Sequence, residues 1–297
     1  MTRYTLFLVQ RLDEAMDRDL QWHVHQQLEA AISTPPEQTE ICVVLQSLGG
    51  DAHATYKMFL DLRSRCMVLE AIIPDYAKSA ATLLVLGMDK IWMGPCAELG
   101  PLDVQIPHPD RDGETISGLD ARYCLEYLAD TCVRLVLRGA NAFVNDTAIS
   151  RQLGLRESSR FIDAFMQPIV AKLDPHLMHR AAQQLRVAGD YAVRMMHARN
   201  EDVCSATSEE DIQRICKLLI EMYSTHEFVI SRNEAHDLGL PIRAAEEHPY
   251  WHLVNMACSD ALENDDNLVR VMADAEMVET PEQAGAKAEA EAEADSN

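Results

Sequence analysis

The sequence predicts an α/β protein. Short apolar runs of β-leaning residues alternate with helical patterns through the first hundred residues, the links between them are short, and the second half is mostly helical in periodicity. Strand–helix–strand–helix–strand order with short links implies parallel strands joined by right-handed crossovers.

Tyr4 to Val9 is the first β-leaning run, and Asp13 to Ile32 reads as a helix stopped by Thr34-Pro35-Pro36. Ile41 to Leu45 is continuously apolar, the mark of a strand buried on both faces. After Ser47-Leu48-Gly49-Gly50-Asp51 comes a helix over 51–65, with Ala52, Thr55, Tyr56, Phe59 and Leu60 on its apolar stripe. Met67 to Ile73 is a strand ended by Pro74, Lys78 to Gly87 a short and nearly all-apolar helix, and Lys90 to Met93 another strand. Helical periodicity then covers Leu119 to Leu137, Arg156 to Lys172 and Pro175 to Arg199. Ser208 opens a helix carrying Ile212, Ile215, Cys216 and Leu219. Phe228 to Ile230 is a short strand, and Ser231-Arg232-Asn233-Glu234 is a capping box for a helix that Gly239 is placed to end.

The 297 residues suffice for one large domain or two small ones. The net charge of −22 argues against a nucleic-acid partner and against an anionic membrane surface, because both need clustered Lys and Arg. The longest apolar-rich run, Ala80 to Met88, is too short for a membrane span, and the N-terminus lacks the pattern of a signal peptide. The eight cysteines form no C-x-x-C pair and read as buried thiols in a reducing, cytoplasmic setting. No Cys/His cluster has metal-ligand spacing and no nucleotide-binding glycine motif occurs, so neither a metal nor a cofactor is expected. Residues 273–297 hold eight acidic side chains and one lysine; this tail is expected to be disordered, a solubilising end or an acidic interaction segment.

Two places invite chemistry. Gly49-Gly50 follows a buried strand and precedes a helix, where glycines let backbone N–H groups face a cavity and hold an oxyanion. An ordinary βα turn is the alternative. Ser79 stands at the start of a buried helix, where the helix dipole favours developing negative charge, and Ala77, Ala80 and Ala81 leave room for a substrate chain. Its alternative is a plain helix N-cap.

Taken together, LQSLGGD (45–51), IPDYAKSAAT (73–82) and MGPCAELGPLDVQ (93–105) resemble the ClpP/crotonase superfamily, and within it the serine dehydrogenase proteinase family, related to signal peptide peptidase A. A weaker echo continues through KLDP (172–175) and THEFVI (225–230). The resemblance implies a repeated β-β-α superhelical core with a helical C-terminal half, a peptidase domain over 1–272 and the tail over 273–297. It implies a soluble, ATP-independent serine endopeptidase acting on peptide or protein substrates, with Ser79 on the nucleophile, and Gly49, Gly50 and Ala80 on the oxyanion and substrate loop. Asp103 falls on the LGP-[IL]-D segment, either to orient an imidazole or to bind backbone N–H groups in its own turn. No histidine stands at that point, so a reordered Ser, Asp, His triad puts the base late in the chain.

A serine hydroxyl needs such a base at neutral pH. His226 is the first choice, with His176 and His179 as alternatives and Asp174 in reserve for Asp103. The rival is a Ser–Lys dyad using Lys172; Lys78 adjoins the serine and should point elsewhere, and Lys57 should lie on an exposed helix face. Two other functions share this fold: a non-catalytic oligomeric scaffold, and a crotonase-like acyl-CoA enzyme, which would want a basic patch for the CoA phosphates. Homo-oligomerisation is expected from the resemblance and from helices with more apolar faces than one sheet can cover.

Overall fold

In the computed structural model, residues 1–107, 115–147, 149–204, 207–223, 225, 227–264 and 266–274 are described. They fall into two compact units, Met1–Leu102 with Val187–Asn297, and Asp103–Arg186.

The first unit is built on a six-stranded sheet. Its parallel strands are β1 (Thr2–Val9), β2 (Thr39–Gln46), β3 (Val68–Ile73) and β5 (Lys90–Met93), joined through α1 (Arg18–Ala31), α2 (Ala52–Arg65), β4 (Tyr76–Ala77) and α3 (Ala80–Leu86). Late in the chain come α7 (Glu209–Glu221), β9 (Ile230–Ser231), α8 (Arg232–Asp237), β10 (Ile242–Ala244), α9 (Trp251–Glu263) and β11 (Leu268–Ala273). The sheet order is β10-β5-β3-β2-β1-β11; β11 runs antiparallel to β1 and every other pairing is parallel. A second sheet orders β4, β6 (Glu98–Leu99) and β9. The parallel order matches the sequence expectation. β10 and β11 were not anticipated, because their three and six residues complete a sheet begun far upstream and carry no local signal of it.

Alternation along the strands divides the core. Leu6, Leu8, Ile41, Val43, Leu45, Leu69 and Ala71 pack with α1, α2, α3, α7 and the end of α6 (Pro175–His197). Phe7, Val9, Cys42, Val44 and Ile72 pack with Val254, Cys258 and Ala261 of α9. Each central strand is therefore buried on both faces, as its continuous apolar run requires. On α2 the buried stripe is Ala54, Thr55, Met58, Phe59 and Leu62; Leu60, expected inside, is exposed, since it points to the far side of that stripe. Lys57 is exposed, as expected. Asp51, Ser208 and Ser231 each cap a helix with their side chains.

The second unit holds the hairpin β7 (Gln105–Pro107) and β8 (Thr115–Ser117), then α4 (Gly118–Thr147), α5 (Arg151–Val170) and the start of α6. The helical expectation for this region holds, with α4 running ten residues past Leu137, where its apolar periodicity was expected to end. Ile106, Ala121 and Ala181 form its small core. His226 and tail residues 275–297 lie outside the described residues.

Candidate active site

β2 ends at Gln46, and the bend after it is tied on two sides by main-chain hydrogen bonds. Ser47 N donates to Tyr76 O at 3.2 Å and Lys78 N donates to Ser47 O at 3.0 Å, while Met16 N donates to Gly49 O and Asp51 N to Met16 O, both at 2.8 Å. This packing leaves no room for side chains. A Cβ on Gly49 would sit 2.6 Å from Lys78 O and 2.9 Å from Ser79 Cβ, and one on Gly50 would sit 2.5 Å from Met16 N. Both glycines also have positive φ, +98° and +153°. The diglycine bend therefore lies directly against the turn that carries Ser79.

Ser79 joins β4 to α3 with φ 49° and ψ −116°. Among the described residues it is the one non-glycine with positive φ. Such a backbone costs about 1–3 kcal/mol and persists only where the surroundings impose it; a strained strand-to-helix turn is how some hydrolases expose a nucleophilic serine. The residue is half-buried, and its hydroxyl makes no capping bond to α3, which sets aside the reading of Ser79 as a plain N-cap. Ala80 is buried in the first turn of α3, where backbone N–H groups have no intrahelical acceptor. Gly49 N, by contrast, donates to Ser47 Oγ at 3.0 Å, and Ser47 Oγ donates to Gln10 Oε1 at 2.7 Å.

The remaining candidates are distributed over both units. Lys78 points away from Ser79: its Nζ lies 2.6 Å from Glu98 Oε1 and donates to Phe228 O at 3.2 Å and Leu99 O at 3.4 Å. Phe228 is two residues past His226, and β9 just beyond it pairs antiparallel with β6. Asp103, 2% exposed, accepts from Leu119 N at 3.2 Å at the start of α4 and from Gln105 Nε2 at 3.4 Å. Lys172, Asp174, His176 and His179 are exposed in the second unit, where Asp174 Oδ1 accepts from His176 N at 2.8 Å.

A second polar cluster lies in the first unit. Thr5, Cys42, Glu70 and Lys90 stand side by side on adjacent strands β1, β2, β3 and β5. Glu70 Oε2 accepts from Trp92 Nε1 at 3.1 Å, and its Oε1 lies 3.2 Å from Arg3 Nη2 and 3.4 Å from His248 Nε2. Burial pushes the Glu70 carboxyl up, but the bonds from His248 and Trp92 and the Arg3 charge outweigh it and hold it below its ordinary value. Burial and the Glu70 charge push the Cys42 thiol well up. The ligand atoms of Cys42, Glu70 and His248 lie within 4.8 Å of one another, a donor set a metal could use. The hydrogen bonds fit a metal poorly. Tyr250 N donates to His248 Nδ1 at 3.2 Å, which puts the neutral ring's proton on Nε2, toward Glu70. Two cations, Arg3 and Lys90, already flank the carboxylate. Sequence spacing could not reveal this cluster, whose members lie far apart in the chain; the available signal was a lone glutamate inside the apolar strand MVLEAII.

Comparison with known proteins bears on the first site. Residues 21–111 match the family of ClpP-like SDH-type serine proteinases. The matched segment contains Gly49, Gly50, Ser79 and Asp103, and none of His176, His179, His226 and Lys172. Two uncharacterized proteins of Methanocaldococcus jannaschii are similar over 76 residues: MJ1495 at 37% identity, covering 26% of this chain and 26% of that protein, and MJ0137 at 34% identity, covering 26% and 27%. The chain thus spans about a quarter of the length of these curated relatives. A solved membrane-bound stomatin-specific protease, in a mutant form, overlaps 51% of this chain and 68% of its own at 13% identity, with a TM-score of 0.30, too low to carry any argument. Among the described residues no helix is long and apolar enough to cross a membrane.

Proposed function

We propose that the protein is a serine endopeptidase in which Ser79 Oγ attacks a peptide carbonyl, His226 takes its proton and delivers it to the departing amine as the peptide C–N bond breaks, and the acyl-enzyme is then hydrolysed by water activated by the same base. The observation that carries this reading is the strained Ser79 turn lying against the Gly49-Gly50 bend. The amides of Gly50 and Ala80 are the oxyanion donors of choice. Gly49 N is already committed to Ser47 Oγ, so Gly49 serves by letting the serine turn approach. Each oxyanion donor is worth about 3–4 kcal/mol in the transition state. Support for His226 is its place in THEFVI (225–230), the late segment that echoes the family. Asp103 completes the triad as a buried carboxylate whose Oδ1 is fixed by a hydrogen bond from Leu119 N.

The same proposal takes the alternation of large-sheet and small-sheet strands, β3-β4-α3 followed by β5-β6, as the repeating unit of a β-β-α spiral. A cytoplasmic location agrees with eight unpaired cysteines. Homo-oligomerisation agrees with exposed Val133 and Leu137 on α4 and Phe161 and Phe165 on α5.

A fluorophosphonate probe tests the nucleophile. Labelling is expected in the native protein and is lost in Ser79→Ala; labelling that survives overturns the assignment. For the base, His226→Ala should slow labelling by about 10²–10⁴-fold, whereas slowing confined to His176→Ala, His179→Ala or Lys172→Ala would move the role there.

A further inference from the structure

Ser79 occupies the N-cap position of α3, a helix of seven residues, all buried. Its positive φ persists only where the surroundings impose it. The strand side of the turn is tied down: Lys78 N donates to Ser47 O at 3.0 Å, and Gly100 N donates to Ala77 O at 3.2 Å. The helix side closes on itself, with Ala81 N donating to Lys78 O at 2.8 Å and Leu83 N to Ser79 O at 3.0 Å. Thr82 joins the two sides.

Thr82 is fully buried in the first turn of α3. Its Oγ1 donates to Ala77 O at 2.6 Å and accepts from Gly100 N at 3.1 Å. A helical threonine ordinarily returns its hydroxyl to a carbonyl three or four residues back. Here the acceptor is five residues back, in β4, so the bond spans the break between strand and helix and encloses Lys78, Ser79, Ala80 and Ala81. Those four residues must turn within a set distance, and the strained conformation falls on Ser79. The bond from Gly100 N brings in the end of β6, so one hydroxyl holds both strands and the helix in one arrangement. Ala77 O and Gly100 N are also bonded to each other. The main chain therefore does not need the hydroxyl to satisfy its polar groups, and what the hydroxyl adds is geometry.

We infer that Thr82 is a positioning residue: its hydroxyl latches the first turn of α3 to β4 and so imposes the Ser79 backbone that presents the nucleophile. The effect on rate rests on Ser79 being that nucleophile; the effect on backbone strain does not. Thr82→Val keeps the shape of the side chain but puts a methyl where the 2.6 Å contact stood, and carbon approaches a carbonyl oxygen only to about 3.3–3.6 Å.

The test combines fluorophosphonate labelling rates with thermal melts of the full-length protein. Thr82→Val should slow labelling by about 10–100-fold, and Thr82→Ser, which restores the hydroxyl, should label within about 3-fold of the native rate. In the melts, Ser79→Gly relieves strain and should raise the native midpoint by about 2–4 °C. In the Thr82→Val background that strain is already released, and Ser79→Gly should add nothing. Native-rate labelling in Thr82→Val, or Thr82→Ser labelling as slowly as Thr82→Val, overturns the latch. So does a Ser79→Gly gain that is absent from the native protein or undiminished in the Thr82→Val background. A native protein that does not label at Ser79 overturns the nucleophile instead and leaves the melts to decide the latch. Should Thr82→Val fail to fold, Thr82→Ala, which opens the space rather than crowding it, carries both comparisons with the same outcomes.

Discussion

The two ends of the parallel sheet are built on opposite principles. At the C-terminal end of β2, where β4 of the smaller sheet runs alongside, geometry comes from the main chain: two glycines, one strained serine and a lattice of backbone hydrogen bonds around Met16, Ser47 and Lys78. Toward the N-terminal ends, it comes from side chains that saturate Glu70 with Arg3, Trp92 and His248. The first end stores strain and stays half-open to solvent; the second is buried and closed.

Substitutions sharpen this contrast, and the largest effect belongs to the main-chain end. Gly49→Ala combines a positive φ with a clash against the Lys78 carbonyl, so it should cost at least about 3 kcal/mol and abolish labelling; chemical denaturation of a folded, labelled Gly49→Ala would break the comparison. Glu70→Gln should cost about 3 kcal/mol at pH 7 by leaving Arg3 short of its buried partner, while labelling of the surviving folded protein stays native. Its pH dependence has a definite sign. The native Glu70 carboxyl lies below its ordinary value of 4.5, so its contribution is fully present above pH 4.5 and is lost as pH falls through the lower folded value. Denaturation midpoints of Glu70→Gln should lack that acid-side decline.

Smaller effects run the other way. Ser79→Gly should raise stability by about 1 kcal/mol through release of backbone strain while removing all activity, a trade visible in a thermal melt. Thr5 Oγ1 is buried beside Cys42 without a hydrogen-bond partner, so Thr5→Val should be neutral or stabilising by about 0.5–1 kcal/mol. A clear loss there would mean that the closed end holds a ligand or water through Thr5.

What could be read from sequence follows the same division. The Gly49-Gly50 bend was legible as a break between strand and helix, whereas Ser79 stood out only through the resemblance of its segment to a known family. The paired strands β1, β2, β3 and β5 were legible from continuous apolar runs. The Glu70 cluster was not, since its members come from β1, β2, β3, β5 and the turn before α9, and only tertiary packing assembles them. Asp103 was half-legible. The expectation that it binds backbone N–H groups or an imidazole left the partner open, and the N–H it meets belongs to Leu119, across the β7–β8 hairpin. Leu60 failed for a simpler reason: two apolar stripes were possible on α2, and periodicity alone did not choose between them.

The central claim is that the strained serine beside the diglycine bend is the nucleophile. Peptide mapping by mass spectrometry of the protein after fluorophosphonate treatment tests it most directly. The adduct is expected on Ser79, in the peptide spanning DYAKSAAT; an adduct on another serine, or none on a folded protein, would contradict it.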